Sequence, residues 1–193
     1  MDKRVIKTRQ AIQSAFITLM KERPLDKITV QEITRQAEIG RGTFYLHYKD
    51  VNDLYQHIAQ EAMASIEGVL DADYTQGIPN LDFVSLCQQI IEKVLENKDI
   101  YQGIIKSDTD SYYINNVKKF FIKKICELEG FDETSVDHYV EVVFYISGIV
   151  GLIESWLRDD LPNFTAHDIS AGIDLQLKNS VFLRASQKNQ DNK

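Results

Sequence analysis

The chain has 193 residues, of which 44% are hydrophobic and 26% are charged. This is the composition of ordinary soluble globular proteins, and it excludes a chain that is disordered over most of its length. The net charge of -7 is unevenly distributed: residues 1–60 carry ten Lys and Arg against seven Asp and Glu, whereas the remainder carries twelve against twenty-two. Because DNA attracts basic surfaces, this asymmetry predicts a small nucleic-acid-binding head on an acidic body, although chance clustering on a solvated surface gives the same pattern.

Several segment types are not expected. The longest uncharged apolar run, residues 142–153, is shorter than the roughly 18 to 20 residues that cross a membrane, and the N-terminus is amphipathic rather than an apolar signal core. We therefore expect a cytoplasmic protein without membrane contact. Cys87 and Cys126 have no metal or redox spacing and are expected to be buried thiols. The isolated histidines also lack ligand spacing, so no metal site is predicted.

The first third of the chain contains signals for short helices. Apolar residues at helical spacing predict an amphipathic helix over 5–22, and Pro24 ends it because the residue before a proline avoids helical geometry. Thr29 and Glu32 match a capping box, in which each side chain satisfies a backbone N–H near the start of a helix. This pattern predicts a second helix over 30–36.

A third short helix is predicted over 41–47, and Asp50 is a favourable N-cap for a longer helix over 51–70. Phe44 and Tyr48 are expected to turn inward. Two short helices joined by a turn are typical of a helix-turn-helix, in which the second helix lies in the DNA major groove and the first braces it. We interpret 41–47 as the reading helix.

Beyond a polar break at 71–80, the pattern is again helical, with no persuasive strand or repeat, so the predicted fold class is all-α. The helices are predicted over 81–96, 98–106, 112–129, 132–159 and 166–181. The helix over 132–159 is apolar nearly all round and must be covered on both sides, by its own domain and by a second copy of the chain. The predicted dimer interface comprises Val143, Ser147, Gly148, Gly151, Ile173 and Leu177.

The segment 28–50, ITVQEITRQAEIGRGTFYLHYKD, resembles the DNA-binding segment of the tetracycline-repressor (TetR) family, with TFYLHYK at its centre. The resemblance implies a three-helix helix-turn-helix domain over 1–50 and a helical ligand-binding and dimerisation domain over 51–186. Residues 51–70 would be the connecting helix, and 187–193 a flexible tail. It also implies DNA contacts by Thr29, Gln31, Arg41, Gly42, Thr43, Tyr45, His47 and Lys49, with Arg41, Gly42 and Thr43 near base edges and the others at phosphates.

Two positions depart from the family pattern. Glu38 stands in the turn where glycine is common, in a conformation that glycine adopts more easily, and it brings a negative charge towards DNA. Val51 stands where a lysine is common, which removes one expected phosphate contact. Both changes predict a modest affinity for DNA.

The middle helices supply enough aromatic surface for an apolar cavity, although most of these rings suit an ordinary core. By the family resemblance, an effector pocket is expected among them, with an unknown small molecule as ligand and no cofactor. The candidate pocket residues are Phe83, Tyr101, Tyr113, Phe120, Tyr145 and Trp156.

The predicted function is therefore that of a homodimeric repressor that binds a (pseudo)palindromic double-stranded DNA operator and is released by a small effector. An alternative is an adaptor or co-activator that kept the scaffold but acts through protein contacts, which would suit the changes at Glu38 and Val51. An enzyme is not expected, because the sequence has no recognisable nucleophile arrangement, metal set or phosphate loop.

Overall fold

A computed structural model describes residues 3–75, 83–108, 111–129 and 136–178. Within these ranges the regular structure is helical and contains no strand, which confirms the all-α prediction. The helices are α1 (Lys3–Glu22), α2 (Val30–Gln36), α3 (Arg41–Tyr45), α4 (Val51–Thr75), α5 (Phe83–Glu96), α6 (Lys98–Ser107), α7 (Tyr112–Glu129), α8 (Val136–Leu157) and α9 (Ala166–Lys178).

The start of α2 is set by local hydrogen bonds. The Glu32 backbone N–H donates to Thr29 Oγ1 at 3.3 Å, and the Thr29 backbone N–H donates to Glu32 Oε2 at 3.0 Å. This is the predicted capping box, and it leaves α2 with the predicted bounds. Arg23 Nη1 also donates to Glu32 Oε1 at 2.6 Å, so the chain just after α1 is tied to the cap of α2.

The next two helices differ from prediction at their ends. α3 stops at Tyr45 rather than at residue 47, because the His47 and Tyr48 backbone N–H groups both donate to the Phe44 carbonyl and tighten the last turn. The Asp53 N–H donates to Asp50 Oδ1 at 2.8 Å, which confirms the predicted cap of α4. α4 continues past the predicted end at 70.

Helices α4 to α9 form the body of the protein, and helices α1 to α3 form its head. The body packs around α4 and α6. α4 contacts α5 and α6, α7 contacts α8, and α9 contacts both α5 and α8. α6 also packs against α1, closely enough that a Cβ added at Gly103 would lie 3.1 Å from Met20 Cε. A continuous apolar core therefore extends from Ile12 in the head to Leu177 in the last helix.

Other local features of the fold are equally well defined. The predicted break between two helices falls at Asn97, and the Thr165 and Asp168 pair forms a second capping box, with N–H to side-chain distances of 2.7 and 3.2 Å. Cys87 and Cys126 are buried and not disulfide-bonded. The predictions for residues 76–82 and for the tail over 187–193 lie outside the described residues.

One stretch of α8, Tyr139–Leu157, is long and apolar enough to cross a membrane by length and composition alone. The uncharged run over 142–153 did not indicate this, since the longer stretch includes glutamates. A single such helix is weak support for a membrane span, because a helix covered by protein passes the same test. Only 28% of the most apolar part of this stretch is buried within the chain, and most of the remaining residues are half-buried.

Candidate nucleic-acid interface and cavity

The short helix α3 is held in place by an aromatic anchor. Phe44 is fully buried and Tyr48 is 3% exposed, with their ring centroids 5.9 Å apart. Arg9 Nε in α1 donates to Tyr48 Oη at 3.1 Å, and the same guanidinium is paired with Glu61 in α4. A five-residue helix is unstable alone, so these contacts are what keep α3 rigid.

The side of α3 and its following turn that faces away from this anchor is exposed, and we call it the α3 surface. It comprises Arg41, Gly42, Tyr45, Leu46 and Lys49. Thr43 and His47 are half-buried at its edge. Thr29 and Gln31, at the start of the bracing helix, are exposed as well, although the Thr29 hydroxyl donates to Glu32 Oε2 at 2.8 Å. All eight residues expected at DNA therefore lie in α2, α3 or the adjoining turns and keep some solvent access.

The basic groups of the head divide into two kinds. Arg9 and Arg23 are paired with Glu61 and Glu32, so they join helices to one another. Within the described ranges, Arg41 and Lys49 have no carboxylate partner and are exposed. Their charges are therefore available to an external anion, and phosphate and base-edge acceptors of DNA are such partners.

Leu46 was not singled out from the sequence, yet its side chain is 84% exposed, the largest value among the exposed large hydrophobic residues. The spacing contained a usable signal. Phe44 and Tyr48 both point inward, so the residue between them points outward. A leucine in that position offers an apolar contact of the kind made with a thymine methyl group.

Both departures from the family pattern have a structural consequence. Glu38 is exposed and has a φ of 54°, in the left-handed region that disfavours side chains with a Cβ. Val51 is half-buried and packs against the core, so it contributes to the attachment of α4 instead of presenting a charge. Gly42 is not required by packing within the chain, because a Cβ added there would meet no atom of its own chain within 4 Å.

A cavity of about 70 Å³ lies inside the body, between residues of α4, α5, α6, α7 and α8. Most of its lining is aliphatic. Tyr101 lines it and donates its hydroxyl to the Ala62 carbonyl at 3.0 Å, and burial raises the pKa of Tyr101 to about 12. Glu154 lines it too, with Oε1 accepting from Arg158 Nε at 3.0 Å.

Two of the six candidate pocket residues, Tyr101 and Tyr113, line this cavity. Phe120 and Tyr145 pack half-buried against the core but do not line it. Trp156 borders a smaller gap beside α9, with Lys98 Nζ 4.4 Å from the ring centroid. The Phe83 side chain lies outside the described residues. The aliphatic lining was missed because aliphatic cavity residues and ordinary core residues have the same sequence pattern.

Exposed apolar residues remain on α8 and on α9, and we call this set of residues the α8–α9 face. It comprises Val136, Val140, Phe144 and Gly148 along α8, with Leu175 on α9. Four of the six residues expected at a dimer interface, Val143, Ser147, Gly148 and Gly151, keep some exposure.

The expectation for Ile173 and Leu177 was wrong in its geometry. These two side chains are 3% and 2% exposed and form part of the chain's own core, where α9 packs against α5 and α8. Leu175, which lies between them, is 59% exposed. Helical periodicity identified the residues that share a face, but it could not tell which face would point inward.

Both parts of the chain match known protein families. The family model for bacterial regulatory proteins of the tetR family matches residues 12–58, and a model for a transcriptional regulator C-terminal region, TetR_C_8, matches residues 83–169. The first match contains the helix-turn-helix, and the second covers most of the body.

Two relatives have been curated as transcriptional regulators. The uncharacterized regulator YxbF of Bacillus subtilis is 41% identical over 66 residues, which are 34% of this chain and 17% of the relative. AcrR of Shigella flexneri is 31% identical over 90 residues, which are 47% of this chain and 41% of the relative. The chain thus matches less than half the length of either protein.

Solved structures extend the likeness to the whole fold. A TetR-family protein from Syntrophomonas wolfei superposes with a TM-score of 0.63 at 15% identity, covering 89% of this chain and 93% of the other. NalD of Pseudomonas aeruginosa, a repressor of a multidrug efflux pump, gives 0.60 at 17% identity, covering 88% and 93%. At such identities these likenesses show the fold alone. The two family models, which match residues 12–58 and 83–169, show that this chain belongs to the TetR family of bacterial transcriptional regulators.

Proposed function

We propose that the protein is a homodimeric repressor that binds a (pseudo)palindromic DNA operator through α3. The carrying observation is that Arg41 and Lys49 are exposed and have no carboxylate partner in the described ranges, on a segment anchored by Phe44 and Tyr48. A rigid helix that presents unpaired cations is what binding in a major groove requires. In this proposal, residues 1–50 form the reading domain and residues 51–186 the regulatory and dimerisation domain.

The residues on and around α3 would divide the work of binding. Arg41 would bridge the two acceptors of a guanine, while Gly42 and Thr43 lie against base edges. Leu46 adds an apolar contact to a thymine methyl group. The phosphate contacts come from Thr29, Gln31, Tyr45, His47 and Lys49 and set the register on the duplex.

Dimerisation would use the α8–α9 face. Its exposed valines and Phe144 form an apolar patch next to Gly148 and Gly151, where an added Cβ would meet nothing of the chain itself within 4 Å. Such patches on soluble proteins mark interaction sites, and small residues let two helices approach closely. A second copy meeting this face about a two-fold axis would cover α8 and present two α3 helices to successive major grooves, about 34 to 36 Å apart.

The cavity provides a route for release by an effector. Its wall includes Tyr101 and Ile105 of α6, and the same helix touches α1 at Gly103 and through an ion pair between Lys21 and Asp99 at 2.6 Å. A ligand that shifts α6 would therefore move the head, and a small rotation is enough to spoil the spacing of two reading helices. NalD, a structural neighbour, is itself described as a repressor.

The decisive experiment is to pass sheared DNA from the source genome over the purified protein and to sequence the retained fragments at several salt concentrations. We expect a small set of fragments that share a two-fold symmetric motif, with retention falling steeply as salt rises. Retention without a shared motif, or no retention at low salt, would contradict the proposal.

Two double variants test whether the exposed cations of the α3 surface bind the DNA, one as the test and one as its matched control. Arg41→Ala with Lys49→Ala should lose the retained fragments while keeping the fold, since both side chains are exposed. Lys119→Ala with Lys123→Ala removes the same number of exposed charges from α7 and should keep them. An adaptor would show no selective retention in any of the three proteins, so the same assay separates the two functions. The family's regulators are transcription factors, so no turnover is expected in either case.

A further inference from the structure

The polar groups that line the cavity are few, and most of them are already engaged. The Tyr101 hydroxyl donates to the Ala62 carbonyl, and the Glu154 carboxylate is paired with Arg158. Arg158 is itself bound further, because its Nη2 donates to the Asp108 carbonyl at 3.3 Å. Each charge of this pair therefore already has an opposite charge beside it, and a charged ligand would have to compete with that partner.

Tyr113 is different. It lines the cavity, and its hydroxyl oxygen is buried without a hydrogen-bond partner among the described residues. Buried polar groups are nearly always paired, and an exception calls for a reason. Burial raises the pKa of Tyr113, so the phenol stays protonated and can donate a hydrogen bond at neutral pH.

The remaining lining excludes a charged ligand. Around Tyr113 the described wall consists mainly of aliphatic side chains, such as Leu86, Ile105, Ile125 and Ile146, and no lysine or arginine lines it. A carboxylate in this space would lose its water without gaining a counterion, and an ammonium group would have to share Glu154 with Arg158, so both are unfavourable.

We infer that the cavity selects a small, neutral, mainly apolar molecule that carries one hydrogen-bond acceptor, a hydroxyl or carbonyl oxygen bound by the Tyr113 hydroxyl. This inference rests on the proposed function only in calling that molecule the effector. The volume of about 70 Å³ is room for roughly five to seven non-hydrogen atoms before the walls must separate. Binding of a longer chain would push α6 away from α7 and α8.

The test uses three probes that share one alkyl chain and differ in the head group: 1-hexanol, hexanoate and hexylammonium. Binding to the full chain is measured at neutral pH by titration calorimetry and by the shift in melting temperature. We expect saturable binding of 1-hexanol alone. Equal binding of hexanoate or hexylammonium would overturn the inference, and so would an absence of binding by all three probes.

Two variants locate the head group. Tyr113→Phe removes only the unpartnered hydroxyl and should weaken 1-hexanol binding about three- to tenfold, the loss of one neutral hydrogen bond, without lowering the melting temperature of the ligand-free protein. Tyr112→Phe, at the 71% exposed position next to it, should change neither quantity. Unchanged 1-hexanol binding in Tyr113→Phe would also overturn the inference.

These measurements need no DNA, so the two proposals can fail separately. If genomic fragments are retained but the probes bind in another order, the ligand class is wrong and the DNA-binding role stands. If 1-hexanol binds selectively and no fragment is retained, the cavity assignment stands and the regulatory role is wrong.

Discussion

The α3 surface and the α8–α9 face are both exposed, but their chemistry is opposite. The α3 surface carries Arg41 and Lys49, which have no carboxylate partner in the described ranges, together with a tyrosine and one leucine. The α8–α9 face carries valines, a phenylalanine and glycines, with Phe144 71% exposed. Water solvates the first surface well and the second poorly.

This difference separates the kinds of partner that the two surfaces accept. Cations in water gain little from any single contact, and they bind strongly only where many phosphates lie in a row, so their binding depends on salt. An apolar face gains by excluding water, and this gain is largely independent of salt. The proposed dimer and the proposed complex with DNA should therefore respond differently to salt.

The largest expected effect comes from charging the α8–α9 face. Phe144→Glu should raise the dimer dissociation constant by at least about 100-fold, because each copy would bury a carboxylate without a partner. Analytical ultracentrifugation measures this change directly. Tyr112→Glu, at an equally exposed position on α7, is the control and should leave the dimer intact. A dimer that survives Phe144→Glu would place the interface elsewhere.

The next effect separates two contacts on the α3 surface. Arg41→Ala should cost about 1 to 3 kcal/mol of operator binding and relax the preference for one base pair. Lys49→Ala should weaken binding to all sequences alike and reduce the slope of log affinity against log salt by about one. Fluorescence anisotropy with operator and scrambled duplexes distinguishes the two outcomes. Identical, nonselective losses would contradict the assignment of Arg41.

Gly42 tests whether α3 approaches the bases closely. Gly42→Ala should raise the free energy of unfolding by about 0.5 to 1 kcal/mol, because alanine suits a helix better and meets no neighbour, while operator binding weakens. Gly68→Ala in α4, where a Cβ is equally unobstructed, should give the same stabilisation without changing DNA binding. Both quantities follow from denaturation curves and anisotropy. Unchanged operator affinity in Gly42→Ala would remove the glycine from the interface.

A smaller effect is expected at Glu38, where backbone strain and charge can be separated. Glu38→Gly relieves the positive φ and should raise the free energy of unfolding by at most about 1 kcal/mol, since glycine also loses more entropy on folding. Glu38→Gln keeps the strain and removes the charge, so it should change DNA affinity alone. Both variants should bind DNA more tightly at low salt. If neither does, Glu38 does not face the duplex.

The smallest expected effect is the pH dependence of the stability that each capping box contributes, at Thr29 in the head and at Thr165 in the body. Hydrogen bonds from Thr29 lower the pKa of Glu32, and those from Thr165 lower the pKa of Asp168. A carboxyl group whose pKa is lower in the folded protein than in the unfolded chain stabilises the fold at any pH above its unfolded pKa. This stabilisation is lost as the pH falls through the folded pKa. Thr29→Val and Thr165→Val should therefore differ most from the unchanged protein near neutral pH, as measured by urea midpoints. In acid the difference should shrink to the pH-independent part, the lost acceptor for the backbone N–H groups of Glu32 and Asp168. A difference that grows in acid would contradict this origin.

The head was predictable because its signals are local. The capping box at Thr29 and Glu32, the stop before Pro24 and the cap at Asp50 each involve residues within a few positions of one another. The inward pair Phe44 and Tyr48 follows from helical spacing within one short segment. Leu46 was missed because its exposure becomes significant only once the anchor has oriented α3.

The body was predictable in its helices but not in how they face one another. The sequence by itself determined that α8 is apolar nearly all round and that Ile173 and Leu177 share one face of α9. Only tertiary packing decided that those two residues point into the chain and Leu175 points out. Likewise, only packing decided that the buried Tyr113 hydroxyl has no hydrogen-bond partner among the described residues, while the Tyr101 hydroxyl donates to the Ala62 carbonyl. Burial is a property of several helices together, and no single helix encodes which neighbour will cover it.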